Sequence, residues 1–126
     1  MLNHEENKQQ LDQFFSAIDK LVKPYFNKYF FKEKKNKSRG VIVFEKTERN
    51  EIISVDYCSY IPYGIPAFRI TINSPKHFLE QIIDENGQYN EQWRYTDKND
   101  MDKQLKYTVI KIKEKLNDLL EIVSNN

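Results

Sequence analysis

Apolar and polar residues alternate with a period of two across the middle of the chain, over residues 40–73. Such alternation is typical of β-strands that bury one face. Two breaks divide the stretch, a polar segment at 47–50 and a Pro-Tyr-Gly segment at 62–64. Proline fixes φ and glycine allows a positive φ, so both breaks are expected to be turns. The pattern therefore predicts three antiparallel strands, at residues 40–46, 51–60 and 65–73.

The alternation also predicts how these strands pair. The first turn is expected to place Phe44 opposite Ile53. The second turn is expected to place Tyr57 opposite Ile70. Apolar residues then face each other on one side of the sheet, as a half-buried antiparallel sheet requires. The same register predicts that the other side of the sheet is largely polar.

Two further segments carry apolar residues at every third or fourth position, which indicates amphipathic α-helices. One begins at Leu11 and is expected to end or kink just before Pro24, because a proline ring clashes with the preceding turn. The other runs from about Asn99 to Val123. Residues 1–8 are expected to form a frayed tail.

A third, shorter helix is predicted after the last strand. Ser74 and Pro75 are residues favoured at the N-cap and at the first helical position. A short apolar stripe follows from Phe78 to Ile83, and the Asn-Gly pair at 86–87 is a typical stop signal.

These elements predict an α+β fold: a four-stranded antiparallel meander with the N- and C-terminal helices packed on one face, in the order α-β-β-β-β-α-α. Residues 31–35 supply the fourth strand, at the edge of the sheet. Residues 1–126 are expected to form a single domain, since this length buries a core without disulfides or metal. The predicted core consists of Phe14, Phe15, Ile18, Leu21, Ile42, Phe44, Ile53, Val55, Tyr57, Phe68, Ile70, Ile72, Leu105, Val109, Ile112 and Leu116.

The composition argues against several classes of protein. The formal net charge is only +1, whereas dedicated nucleic-acid or membrane-surface proteins usually carry a strong basic excess. The three glycines, at 40, 64 and 87, lie too far apart for a P-loop or a dinucleotide-binding fingerprint. No apolar run approaches the length of a membrane span.

The first ten residues are polar and acidic, unlike the basic and then apolar start of a signal peptide. The single cysteine, Cys58, cannot form an internal disulfide. We therefore expect a cytoplasmic protein that does not associate with membranes.

Charge is segregated along the chain. A basic patch at residues 31–39 has five bases against one acid, and residues 79–102 have seven acids against two bases. Clustered cations bind nucleic-acid phosphates, whereas lysines on an edge strand also prevent unwanted strand pairing. The bases of this patch are Lys32, Lys34, Lys35, Lys37 and Arg39.

The predicted polar face of the sheet is the first place to look for a binding site. Cys58 would lie opposite Arg69, with Asp56 one diagonal step away. An ordinary solvated sheet face with a cross-strand ion pair has the same composition. The candidate residues on this face are Asp56, Cys58, Arg69, Thr71 and Asn73.

Catalytic and metal-binding patterns are weak. The only conceivable nucleophilic set is Cys58 with His77 and Asp56, because a thiolate requires a base within hydrogen-bond reach. The acids between Asp97 and Asp102 lack the glycine and the distal Glu of a calcium loop, and helix capping explains them. No cofactor and no metal are expected.

Residues 21–36 and 92–122 carry a resemblance to a known layout. Their order of amphipathic helix, Lys-Pro step, aromatic-Lys strand, Trp-containing segment and closing helix resembles a family of small bacterial proteins of unknown function. At the start of the strand that family has a glycine-aromatic pair, where this chain has Tyr29-Phe30-Phe31. The resemblance implies an α+β domain and transfers no functional residue.

The same size and style are similar to those of immunity proteins and secretion chaperones. From the segregated charge, which steers protein partners, we expect a non-enzymatic, cytoplasmic protein-interaction module of that type, with an unidentified protein partner. The alternatives are a nucleic-acid-binding protein that uses residues 32–39 and a small enzyme that uses Cys58.

Overall fold

The computed structural model describes residues 3–48, 50–74, 78–81 and 91–125. These residues form an α+β fold in which an antiparallel sheet is flanked by an N-terminal and a C-terminal helix. A short 3-10 helix, Ile61–Tyr63, connects the third and fourth strands. In chain order the other elements are α1 (His4–Leu21), α2 (Lys23–Lys28), β1 (Lys32–Asn36), β2 (Val41–Glu48), β3 (Glu51–Ser59), β4 (Ala67–Ser74), β5 (Phe78–Gln81), β6 (Trp93–Arg94) and α3 (Lys98–Asn125).

The helix ends follow local sequence signals. Asn3 caps α1, since its side chain accepts a hydrogen bond of 2.8 Å from the backbone N–H of Glu6. Residues 4–8, assigned to a tail by the sequence interpretation, are helical. Pro24 lies in the first turn of α2. Backbone N–H groups in the first turn have no acceptor within the helix, so the absence of an N–H in proline costs no hydrogen bond there. At the start of α3, the Asp97 carboxylate accepts a 2.8 Å hydrogen bond from the Asp100 N–H.

The main path of the sheet contains five strands in the order β1-β2-β3-β4-β5, with β6 paired to β4. The predicted meander of four strands is therefore one strand short, because the segment predicted as a third helix contains β5. Ser74 pairs with Phe78 and Thr71 pairs with Gln81. Backbone hydrogen bonds to β4 at this edge of the sheet stabilise a strand here more than the local sequence signals favour a helix. The rest of the predicted helix lies outside the described residues.

The two hairpins differ in how well their register was predicted. Tyr57 lies opposite Ile70 in the second hairpin, as expected. In the first hairpin Phe44 lies opposite Val55, so the predicted pairing with Ile53 is wrong by two residues. The strands run on to Glu48 and Glu51 before they turn. A shift of two preserves the alternation of faces, so the two faces are as predicted.

All three helices contact one face of the sheet. The rings of Phe14 in α1 and Phe68 in β4 lie 6.2 Å apart, and Phe26 in α2 stacks on Phe44 in β2 at 4.3 Å. From α3, Thr108 forms a buried 2.7 Å hydrogen bond with the hydroxyl of Tyr57 in β3.

The core between the helices and the sheet contains every residue of the predicted core. Fourteen of the sixteen are buried, whereas Leu21 and Val109 are half-buried and pack against the others. Several further members were left out of the predicted core. Met101 lies in α3, whereas the others lie in connecting segments or in elements too short for a period to be visible. These additional core residues include Val22, Phe26, Phe31, Ile61, Trp93, Tyr95 and Met101.

Candidate functional site

The side of the sheet opposite the helices, which we call the open face, carries three rows of side chains across the strands. Because side chains alternate along a strand, the register assigns each row directly. The rows are Lys32–Glu45–Ser54–Asn73, Lys34–Val43–Asp56–Thr71 and Asn36–Val41–Cys58–Arg69.

The five residues predicted to form a polar site all lie on the open face. Cys58 is opposite Arg69, and Asp56 is opposite Thr71 in the neighbouring row. Asn73 occupies the third row, opposite Ser54. The sequence therefore predicted their placement correctly, because the second hairpin has the expected register. Whether these residues bind anything stays a prediction.

Asp56 is the most unusual side chain of the open face. It is half-buried, and its Oδ1 atom is buried without a hydrogen-bond partner among the described residues. Burial raises the pKa of this carboxyl, although a hydrogen bond from Ser54 and the charge of Arg69 act in the opposite direction. Because Oδ1 is shielded from solvent, its missing partner adds to the cost of burying this carboxyl. The residue as a whole is only half-buried, so part of Asp56 remains accessible on the open face.

The neighbours of Asp56 combine charge with exposed apolar surface. Val43 lies directly opposite it, and Ile52, farther along β3, is 55% exposed. Lys34 forms an ion pair of 2.8 Å with Glu45, whereas Arg69 is exposed. This mixture of aliphatic groups and partly compensated charges is found at the contact surfaces of many non-obligate protein complexes.

The structure divides the predicted basic patch among three locations. Lys34 and Lys32 lie on the open face, and Lys35 extends over the Phe15 ring at 5.4 Å. Lys37 pairs with Asp12 of α1 at 2.6 Å, and this ion pair lowers the pKa of the Asp12 carboxyl. Arg39 belongs to the turn after β1. The five cations therefore do not share one surface.

Phe30 is a feature that the sequence interpretation missed. It has a φ of +65°, in the left-handed region that bulky residues rarely adopt. Its side chain is 83% exposed, the highest value among the exposed large hydrophobic residues of the described part of the chain. The sequence interpretation noted only that Tyr29-Phe30-Phe31 stands where a glycine-aromatic pair was expected at the start of the strand.

The structure adds nothing to the catalytic and metal-binding patterns. His77 lies outside the described residues, so its distance from Cys58 is not defined. Across the ranges that are described, no group of three or more His, Cys, Asp or Glu side chains is arranged to hold a metal ion. At the start of α3, Asp97 and Asp100 accept hydrogen bonds from backbone N–H groups, that of Asp100 being 2.9 Å from the Thr96 N–H, whereas Asp102 pairs with Lys98.

A groove of about 330 Å³ lies between α1 and α3. Ala17 and Leu21 contribute apolar surface to it, and charged residues of both signs line its sides. Its two carboxylates are engaged, because Asp12 pairs with Lys37 and Asp102 pairs with Lys98. The charges of the groove are therefore largely compensated within the chain.

Comparison with known proteins yields no relative: no family model, no curated protein and no solved structure matches the chain. The resemblance in layout to a bacterial family thus stays a prediction. None of the described helices has the length and apolar character needed to cross a membrane.

Proposed function

We propose that this chain is a non-enzymatic, cytoplasmic protein-interaction module, of the immunity-protein or chaperone type, and that its open face binds the partner. The observation that carries the proposal is the mixed surface of the open face, where Asp56 lies opposite Val43 and the exposed Ile52 lies on the same strand face. Asp56 is half-buried rather than enclosed, so a donor on a second protein can reach its accessible part.

The composition of the open face supports a protein as the ligand. Val41 and Val43 occupy two adjacent rows, and Glu45 and Arg69 place opposite charges on the same surface. Mixed charges steer the approach of a protein and set its orientation. Nucleic acid fits less well, because Lys34 and Lys37 are already paired with carboxylates of the chain.

The open face is small for a complete interface. Five strands spaced about 4.8 Å apart, over a paired length of about 20 Å, cover roughly 400 Å². A standard-size complex buries about 800 Å² on each partner. The bound protein is therefore expected to extend past the open face, onto an end or an edge of the sheet.

The proposal is tested with the substitution Asp56→Asn, which keeps the shape of the side chain and removes its charge. The intact chain is used to capture partners from the source cells at low salt, and the captured protein is purified and titrated by calorimetry. Asparagine keeps an acceptor oxygen but loses the charge, and a hydrogen bond to a charged group is worth about 1–1.5 kcal/mol more than a neutral one, so we expect affinity to fall roughly 5- to 10-fold.

Lys106→Ala serves as the matched control, since Lys106 is exposed on α3, away from the open face. Its affinity for the partner should equal that of the unmodified chain. A captured protein that binds the Asp56→Asn variant as tightly as the unmodified chain would show that the open face is not the binding surface.

A further inference from the structure

The end of α2 is a complete Schellman motif. The Phe31 N–H bonds to the carbonyl of Phe26 at 3.1 Å, and the Phe30 N–H bonds to the carbonyl of Asn27 at 3.2 Å. The rings of Phe26 and Phe31 also pack together at 5.1 Å, which is the apolar contact that usually accompanies this motif. These contacts fix the chain path and place Phe30 at the left-handed position.

Glycine is the residue that this position normally carries, because a side chain at positive φ crowds the following carbonyl oxygen. The other non-glycine residue with a positive φ among the described residues is Asn50, a type that tolerates the left-handed region. Phe30 is thus a genuine outlier. Strain of this kind at an exposed position points to a role in function.

The capping contacts hold the backbone, but the Phe30 ring itself makes no aromatic contact among the described residues that would offset the strain. Phe30 takes part in none of the aromatic contacts there, although Tyr25, Phe26, Tyr29 and Phe31 form a chain of packed rings beside it. With 83% of the residue exposed, its ring contributes little to the core. The structure therefore shows no internal contact that accounts for an aromatic side chain at this position.

The surroundings of Phe30 are basic. Lys28 and Lys32 flank it in sequence and are both exposed, and the Lys46 amine lies 5.9 Å from the centre of the neighbouring Phe31 ring. Lys32 belongs to the open face, two residues from Phe30. The exposed ring therefore lies next to the open face and is bordered by cations.

We propose that Phe30 anchors the partner by inserting into an apolar pocket of that protein, rimmed by carboxylates. This inference rests on the proposed function. A single buried aromatic residue often dominates the energy of an interface, and the flanking lysines complement an acidic rim. The contact also extends the small open face towards the area that a stable complex requires.

Two other kinds of binding partner for Phe30, the other possible occupants of this surface, fit the observations less well. A second copy of this chain would have to offer the groove between α1 and α3, where the carboxylates of Asp12 and Asp102 are already paired with lysines. A membrane surface is usually contacted by a broad apolar helix face, whereas Phe30 is one isolated aromatic side chain. Both occupants remain measurable outcomes of the test.

The first part of the test measures stability. Phe30→Gly removes the strain, and the melting temperature is expected to rise by about 3–5 °C for a chain of this size. Phe30→Ala keeps a Cβ atom at the same φ, so its melting temperature should change by less than about 1 °C. A lower melting temperature for Phe30→Gly would overturn the inference, because the ring would then stabilise the fold.

The second part measures binding with the purified captured protein. Phe30→Gly and Phe30→Ala are both expected to weaken affinity by about 30-fold or more, the range of an interface hot spot. Phe30→Tyr retains the ring and should bind within about 3-fold of the unmodified chain. Tyr63→Ala, which removes an aromatic residue 71% exposed on the 3-10 helix, is the matched control and should bind normally.

The outcomes separate this inference from the proposed function. If Asp56→Asn weakens binding of the partner and Phe30→Gly does not, the anchor role of Phe30 is overturned. The open face then remains the proposed binding surface. Retention by both variants overturns both proposals, as does the absence of any captured protein. Sedimentation that shows a dimer only when Phe30 is present assigns the contact to a second copy. Phe30-dependent binding to phosphatidylserine–phosphatidylcholine vesicles assigns it to a membrane, and either result overturns the acidic pocket.

Discussion

At the scale of single residues, Phe30 and Asp56 share a property: we expect each to lower the stability of the free chain. Phe30 adopts a positive φ with an exposed ring, and Asp56 keeps a carboxylate in a half-buried position without a partner for Oδ1. Natural chains often retain such features where activity needs them. Both residues lie on or beside one side of the sheet, which is why we interpret them together.

The raised pKa of Asp56 predicts a pH-dependent gain in stability for Asp56→Asn. Because burial raises the folded-state pKa above the unfolded value, the contribution of the carboxyl is fully present when it is protonated and is lost as the pH rises through the folded-state pKa. The variant should therefore be more stable than the unmodified chain at pH 7 and nearly equal to it at pH 3. Urea unfolding at both pH values measures this difference.

Asp12→Asn provides a control of opposite sign, since the pKa of Asp12 is lowered by its contact with Lys37. Its contribution is present above the unfolded-state pKa and is lost as the pH falls, so this variant should be no more stable than the unmodified chain at pH 7. If Asp56→Asn were less stable than the unmodified chain at pH 7, burial would not be the dominant influence on Asp56.

At the scale of elements, turn chemistry determines where the strands begin. Gly40 ends the turn between β1 and β2 with a φ of +72°, and its carbonyl accepts a 2.7 Å hydrogen bond from the Ser59 N–H. A Cβ atom at this position would lie 3.1 Å from Pro62 Cγ and 3.1 Å from Ser59 Cβ. Both the backbone conformation and the space require glycine here.

We expect Gly40→Ala to reduce the free energy of unfolding by about 2 kcal/mol, because left-handed strain adds to the close Cβ contacts. Gly40→Asn is the comparison, since asparagine tolerates the left-handed region and has the same Cβ atom. Denaturant unfolding of the two variants separates the causes. Equal losses of unfolding free energy in the two variants would show that the close Cβ contacts, and not the positive φ, cause the destabilisation. No loss for Gly40→Ala would contradict the described turn.

The elements also show why the sequence predicts some features and misses others. The turn at 62–64 contains Pro62 and Gly64, which fix its position, and the following hairpin has the expected register. The turn at 47–50 lacks such residues, and apolar pairing alone cannot distinguish registers that differ by two. The helix predicted over β5 has good local signals, but pairing with β4 is a tertiary interaction that no local pattern reveals.

At the scale of the whole molecule, helices on one face of the sheet and charged rows on the other define two distinct surfaces. The alternation of residues was enough to predict both surfaces, including the positions of Asp56, Cys58 and Arg69. The features on which the two proposals rest were not predictable. The missing partner of Asp56 depends on packing in three dimensions, and the strain at Phe30 depends on how α2 ends.

Cys58 provides the most direct measurement of the central claim, that a protein partner covers the open face. It is the only cysteine of the chain, it forms no disulfide, and it lies on the open face between Val41 and Arg69. The rate of its alkylation by iodoacetamide is measured for the free chain and at a saturating concentration of the purified partner. We expect the partner to slow alkylation at least 10-fold, whereas an unchanged rate in the complex would contradict the account.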